Sequence, residues 1–194
     1  MLIAGVDEAG RGPLAGPVTV AAVILSEKGL QGLSIALDDS KKLSESKRHQ
    51  LETAICEQAL AFAVVHVDVA TIDRLNILGA TLQGMREAVL SLQPRPDKAL
   101  IDGNKCPDLP MPCEAIVGGD GKIAAISAAS ILAKNARDRV MQALHHRYPE
   151  YGFDRHKGYG TKWHLQQLAA HGPCPAHRRS FAPVQRFFQA DLFA

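Results

Sequence analysis

Long apolar runs are missing from this chain. No stretch reaches the roughly 18 consecutive apolar residues that a bilayer-spanning helix needs, so no transmembrane segment is expected. A targeting leader is missing as well: Met1 runs almost directly into Ile3 and Val6, and a soluble, cytoplasmic protein that does not engage a membrane is expected. Cysteine is sparse. Cys56, Cys106, Cys113 and Cys174 lie far apart, without the density of a disulfide scaffold or the short paired spacing of a zinc knuckle, so reduced thiols are expected. His171, Cys174 and His177 are spaced like metal ligands, but a fourth ligand is missing and prolines flank Cys174, which argues against structural zinc. The chain has no internal repeat and no low-complexity tract.

Net charge is also nearly absent, at +2, but it is unevenly placed. Lys134 to Arg186 holds 10 Lys/Arg against 3 Asp/Glu, a balance of +7, which leaves 12 against 17, or −5, for the rest. A basic third suits a polyanion, and a surplus of carboxylates elsewhere suits hard cations. With 46% apolar and 22% charged residues over 194, one compact domain is expected rather than disorder.

Apolar patterning places the elements. Leu2 to Val6 reads as a strand that stops at Asp7-Glu8, and Val18 to Leu25 as a second, with the Gly/Pro-rich segment Gly10 to Pro17 as a tight loop between them. Ser44 can cap a helix that carries Leu51, Ala54, Ile55 and Ala59 on one face, and Ala61 to Val69 reads as a strand. Leu78, Leu82, Met85 and Val89 mark a helix ending near Pro94, and Lys98 to Ile101 a strand closing on Asp102. Glu114 to Val117 is a further strand, Ala124 to His146 a long helix, and Thr161 to Ala170 a shorter one. Strands interleaved with helices predict an α/β layer fold. The loop before Val18 is too short for a parallel crossover, so the sheet should be mixed.

Asp7 and Glu8 end one apolar run and Asp102 ends another, so neighbouring strands can deliver acids to one sheet edge. Asp120, in a glycine-rich turn before a helix, is a fourth candidate. Like charges a few ångströms apart raise one another's pKa unless a cation neutralises them. A divalent ion with oxygen ligands meets that need, and two ions about 3.5–4 Å apart can stabilise both the attacking and leaving oxygens of a phosphodiester. Consecutive strand residues face opposite sides, so Asp7 and Glu8 are expected to share a site only if the chain leaves regular strand geometry there. Taken singly, each acid reads more readily as a solvated turn residue.

Gly10-Arg-Gly-Pro-Leu-Ala-Gly16 imitates a dinucleotide fingerprint, but its spacing is wrong and a strand follows it, not a helix. A glycine loop beside carboxylates still allows the backbone to approach a sugar, and a ribose 2′-OH is a suitable partner. Lys41 and Lys42 in a polar loop, with Lys157 and Tyr159 in the basic third, are candidates for phosphate contact and stacking, or else a solvated surface.

Together these segments closely resemble ribonuclease HII, the bacterial type 2 ribonuclease H family. The resemblance rests on Gly5-Val-Asp-Glu-Ala-Gly-Arg-Gly-Pro-Leu-Ala-Gly-Pro17, Asp39-Ser-Lys-Lys-Leu-Ser44, Ile101-Asp-Gly103, Ala125-Ile-Ser-Ala-Ala-Ser-Ile-Leu-Ala-Lys134, His156-Lys-Gly-Tyr159 and His177-Arg-Arg-Ser-Phe181, in family order from Gly5 to about Val184. It implies a ribonuclease H-like fold, a mixed sheet of about five strands flanked by helices with a helical C-terminal extension. Residues 1–194 would form a single domain, with a catalytic core over about 1–150 and a basic substrate-binding part over about 151–194.

It implies further that Asp7, Glu8, Asp102 and Asp120 are catalytic and hold Mg²⁺ or Mn²⁺, two ions during catalysis. Gly10, Arg11 and Gly12 would read the 2′-OH, Tyr159 the adjoining nucleotide at a junction with DNA, and Lys41 and Lys157 would add substrate contacts. The implied substrates are RNA–DNA hybrids and DNA containing ribonucleotides, cut 5′ of the ribonucleotide by a monomeric enzyme to leave 3′-OH and 5′-phosphate ends. One position departs from the family: a lysine usually stands two residues before the fourth acid, and here Gly118 does, with Lys122 the nearest substitute. Three rival readings are a DNA nuclease or strand-transfer enzyme of the same fold, a non-catalytic hybrid-binding module and a metal-dependent phosphomonoesterase.

Overall fold

A computed structural model describes residues 1–29 and 44–189. Five strands form one sheet in the order β3-β2-β1-β4-β5. β1 (Ile3–Ala9) pairs antiparallel with β2 (Val18–Leu25), and β2 pairs antiparallel with β3 (Ala59–Val67). On its other side β1 runs parallel to β4 (Lys98–Asp102), which runs parallel to β5 (Cys113–Ile116). The sheet is therefore mixed, as the short loop before Val18 requires.

The parallel register of β1 and β4 positions the acids. Val6 lies opposite Ile101, so Asp7 and Asp102, one residue further along each strand, arrive at the same edge. The condition set from the sequence, that Asp7 and Glu8 share a site only where the chain leaves regular strand geometry, is not met: pairing with β2 continues through Asp7↔Ala21, Glu8↔Val20 and Ala9↔Thr19, and the two acids adjoin at the strand's end all the same. The ladder's hydrogen bonds outweigh the polarity of the two side chains.

Helices cover both faces. α1 (Glu45–Gln58), which Ser44 caps by accepting from Lys47 N–H, and the long α3 (Ala124–Arg147) pack on one face against Ala21, Val23 and Leu25. α2 (Val69–Leu90) packs on the other, against Ala4, Val6, Val20, Ala22 and Ile24. With both faces covered, all eight β2 residues are buried. Gly5 lets α3 sit close on β1: a Cβ there would lie 2.2 Å from the Ala125 carbonyl carbon.

Two boundaries differ from expectation. β3 ends at Val67 because Asp68 accepts from Thr71 N–H at 2.7 Å and starts α2 there. α2 is then broken at Asn76, φ 59°, whose side chain accepts from the N–H groups of Leu78 and Gly79 and caps the second half. The basic part carries α4 (Phe153–His156), α5 (Lys162–His171) and α6 (Ala182–Gln189). Its cores enclose the β1–β2 loop, with Leu14 packed on Leu168 and Val184, and Ala15 on Met141, Tyr151, Phe153 and Ala176. Among the described residues, no helix is long and apolar enough to cross a membrane.

Candidate active site

Asp7 is buried under α3 with 5% of its surface exposed. Burial first, then the charges of Glu8 and Asp102, pushes its carboxyl up to about 8, opposed by hydrogen bonds from Ser130 and from Glu8 N–H at 2.7 Å. Glu8 is raised too, by burial and Asp102, with Arg11 Nη1 at 3.4 Å working against the shift. Its Oε2 is buried without a hydrogen-bond partner. Asp102 Oδ1 accepts from Gly119 N–H at 2.7 Å and Asp120 N–H at 3.4 Å, which ties the 3₁₀ turn Gly119–Gly121 to the end of β4. Asp120 thereby reaches the cavity that Glu8 lines.

As the side chains stand, no three His, Cys, Asp or Glu among the described residues are gathered at ligand distance. The set nonetheless fits a hard divalent cation. Its donors are carboxylate oxygens, one of them buried and unpartnered, and Asp7 and Glu8 are held away from ionisation by burial and by neighbouring carboxylates, Glu8 and Asp102 for Asp7 and Asp102 for Glu8.

The cavity, about 440 Å³, is lined by Glu8, Gly10, Arg11, Gly12, Asp120 and Tyr159 together with Arg48, Ser130, Lys134 and Arg137. Tyr159 is half exposed, and its ring lies against Gly12, 3.5 Å from where a Cβ would stand. The last four lining residues were missed by sequence reasoning. A signal existed for three of them: Ser130, Lys134 and Arg137, spaced four and three apart, form one stripe of α3. Lys134 Nζ meets Asp138 at 2.7 Å and Arg48 meets the same carboxylate at 3.3 Å.

Lys157 is not among the lining residues. Its Nζ turns back to the Asp154 carbonyl at 2.7 Å, and its own carbonyl accepts from Arg137. Lys41 lies outside the described residues. Gly118 adopts φ +65°, and Lys122, whose Nζ donates to the Val117 carbonyl at 2.6 Å, is not among the residues that line the cavity.

No histidine lines the cavity. Three of them instead brace the segment that carries Tyr159. His164 Nδ1 faces the Tyr159 carbonyl at 2.9 Å and so carries the proton; its Nε2 accepts from His177 Nε2 at 3.0 Å, and His177 Nδ1 accepts from Cys174 N–H. His156 stacks on His164 and accepts from Gly158 N–H.

Acids at the end of adjacent parallel strands, in a mixed sheet with helices on both faces, define a ribonuclease H-like nuclease. The model of the Ribonuclease HII family matches residues 4–184. A Ribonuclease HII of Dechloromonas aromatica (strain RCB) is 60% identical over 95% of this chain and 93% of its own length. The chain belongs to the ribonuclease HII family and is a metal-dependent ribonuclease H. The crystal structure of the ribonuclease H2 from Pyrococcus horikoshii OT3 matches with a TM-score of 0.82 and 28% identity over 98% of each chain. Bst-RNase HIII in complex with Mn²⁺ shares the fold at a TM-score of 0.71 and 18% identity, over all of this chain and 71% of that one.

Proposed function

We propose that this enzyme cuts the RNA strand of RNA–DNA hybrids and the 5′ side of ribonucleotides embedded in duplex DNA, leaving 3′-OH and 5′-phosphate ends. One observation carries the proposal: Glu8 and Asp120, with Asp7 and Asp102 adjoining them, meet Gly10, Arg11, Gly12 and Tyr159 around a single cavity. Asp7, Glu8, Asp102 and Asp120 would hold Mg²⁺ or Mn²⁺, two ions during catalysis, which supply an activated water and charge neutralisation at phosphorus. Lys134 and Arg48 face the same cavity and neutralise substrate phosphates. The Gly10–Gly12 backbone contacts the sugar, and Tyr159 stacks at the junction. The 2′-OH serves recognition, not attack, since no imidazole stands in the cavity to take its proton. The enzyme would act as a monomer whose core and basic part form one unit.

The test is a cleavage assay on matched duplexes with zero, one or four riboses, with chelator, Mg²⁺ and Mn²⁺ added in turn. Cutting confined to the 5′ side of ribose, and only with metal, is the expected result. Equal cutting of the all-DNA duplex would favour a DNA nuclease and overturn the proposal.

A further inference from the structure

Two arginines, Arg137 and Arg178, are almost fully buried, at 1% and 0% exposure, and among the described residues neither has a carboxylate at hydrogen-bond distance. Their donors go to main-chain carbonyls. Arg178 Nε donates to Gly16 O at 3.0 Å, Nη1 to Arg11 O at 2.8 Å, and Nη2 to Gly10 O at 2.5 Å and Pro17 O at 3.2 Å. Arg137 takes Pro17 O at 3.0 Å, Ala15 O at 3.1 Å and, across from the loop, Lys157 O at 2.9 Å. Burying two like charges is costly, and burial together with Arg137 lowers Arg178 to about 9. Only a planar fork of five donors can gather this many carbonyls; a lysine's single nitrogen cannot span them.

The consequence follows from peptide planarity. In a trans peptide the C=O of one residue and the N–H of the next point in opposite directions. With the Gly10 and Arg11 carbonyls drawn inward to Arg178, the N–H groups of Arg11 and Gly12 point outward. Both residues line the cavity, and neither N–H donates to any acceptor among the described residues. Two successive N–H groups on one side form a concave donor pair for an oxygen. Gly10 is fixed by the same device: at φ +96°, a Cβ there would lie 1.9 Å from Arg137 Nε.

We infer that Arg178, assisted by Arg137, is a positioning residue for sugar discrimination, turning the Gly10 and Arg11 peptides so that two N–H donors meet the 2′-oxygen of the ribonucleotide. The inference rests on the proposed ribose-directed function. Arg178 acts from beneath the loop and does not itself touch substrate.

The test compares Arg178→Lys with the wild type by fluorescence anisotropy in chelator, on two duplexes that differ in one 2′-OH. The expected result is retained affinity for the all-DNA duplex with a preference for the ribose duplex reduced roughly tenfold. Equal weakening on both duplexes, or an intact preference in a folded variant, overturns the inference. A second measurement needs no variant: in ¹⁵N-labelled wild type, the Arg11 and Gly12 amide signals should shift with the ribose duplex and not with its all-DNA match. Equal shifts, as a phosphate contact gives, or no shift, overturn it. If the wild type cuts only at ribose yet these amides stay still, the positioning claim fails and the function stands. A wild type that cuts both duplexes fails the function itself.

Discussion

Asp7 shows how a site residue trades stability for use. Its carboxyl is pushed up to about 8 from an ordinary 3.8, so the unfolded chain ionises first as pH rises. The stability Asp7 contributes is complete below about 3.8 and is lost as pH climbs through about 8. In chelator at pH 8, Asp7→Asn should therefore raise the thermal midpoint above wild type, and Mn²⁺ should raise the wild type alone; a variant no more stable than wild type contradicts this. Asp7, Glu8 and Asp102 were legible in the sequence because apolar runs stop at them. Arg137 and Arg178 were not, since a buried arginine serving carbonyls and a solvated one look alike until the fold closes over them. Ser130 and Lys134 were hidden in the same way, inside a helix whose apolar periodicity drew the attention.

Among the elements, the strands and the long helix could be read from periodicity because each buries a regular stripe, and β2 buries both faces. Polar punctuation was harder. The break in α2 depends on one asparagine that is both left-handed and a cap, and neither property shows in the apolar spacing. Asn76→Ala loses the cap and strains φ 59°, and should cost about 1–2 kcal/mol in urea denaturation. Asn76→Gly keeps the conformation and should cost only a few tenths of a kcal/mol; equal losses from both would contradict a strained backbone at this position.

The histidine chain behind Tyr159 makes a second prediction at this scale. Burial and His164 lower His177 from an ordinary 6.5 to about 4, so its contribution is complete above about 6.5 and is lost as pH falls toward about 4. A protonated ring there would set Nδ1–H against the Cys174 N–H that it accepts from, at 3.0 Å. Hydrogen-exchange protection of residues 157–164 should fall over that range before that of β1 and β2; uniform loss would contradict it.

At the scale of the molecule, the charge asymmetry of the sequence becomes an architecture. The basic part packs onto the β1–β2 loop through Leu14 and Ala15 and brings Tyr159 to the cavity, where Arg11, Arg48 and Lys134 stand with Glu8 and Asp120. The logarithm of duplex affinity should therefore fall linearly with the logarithm of salt concentration, and Lys134→Ala should reduce the slope by about one while weakening ribose and all-DNA duplexes alike. An unchanged slope would remove Lys134 from the phosphate contacts.

We propose that the carboxylates at the ends of β1 and β4 and in the turn after β5 trap divalent ions. Electron paramagnetic resonance of free Mn²⁺ during titration measures this directly, on wild type and on a protein carrying Asp7→Asn, Glu8→Gln, Asp102→Asn and Asp120→Asn together. Saturable binding weakened at least about tenfold by the four changes is the predicted result; superimposable isotherms would contradict the account.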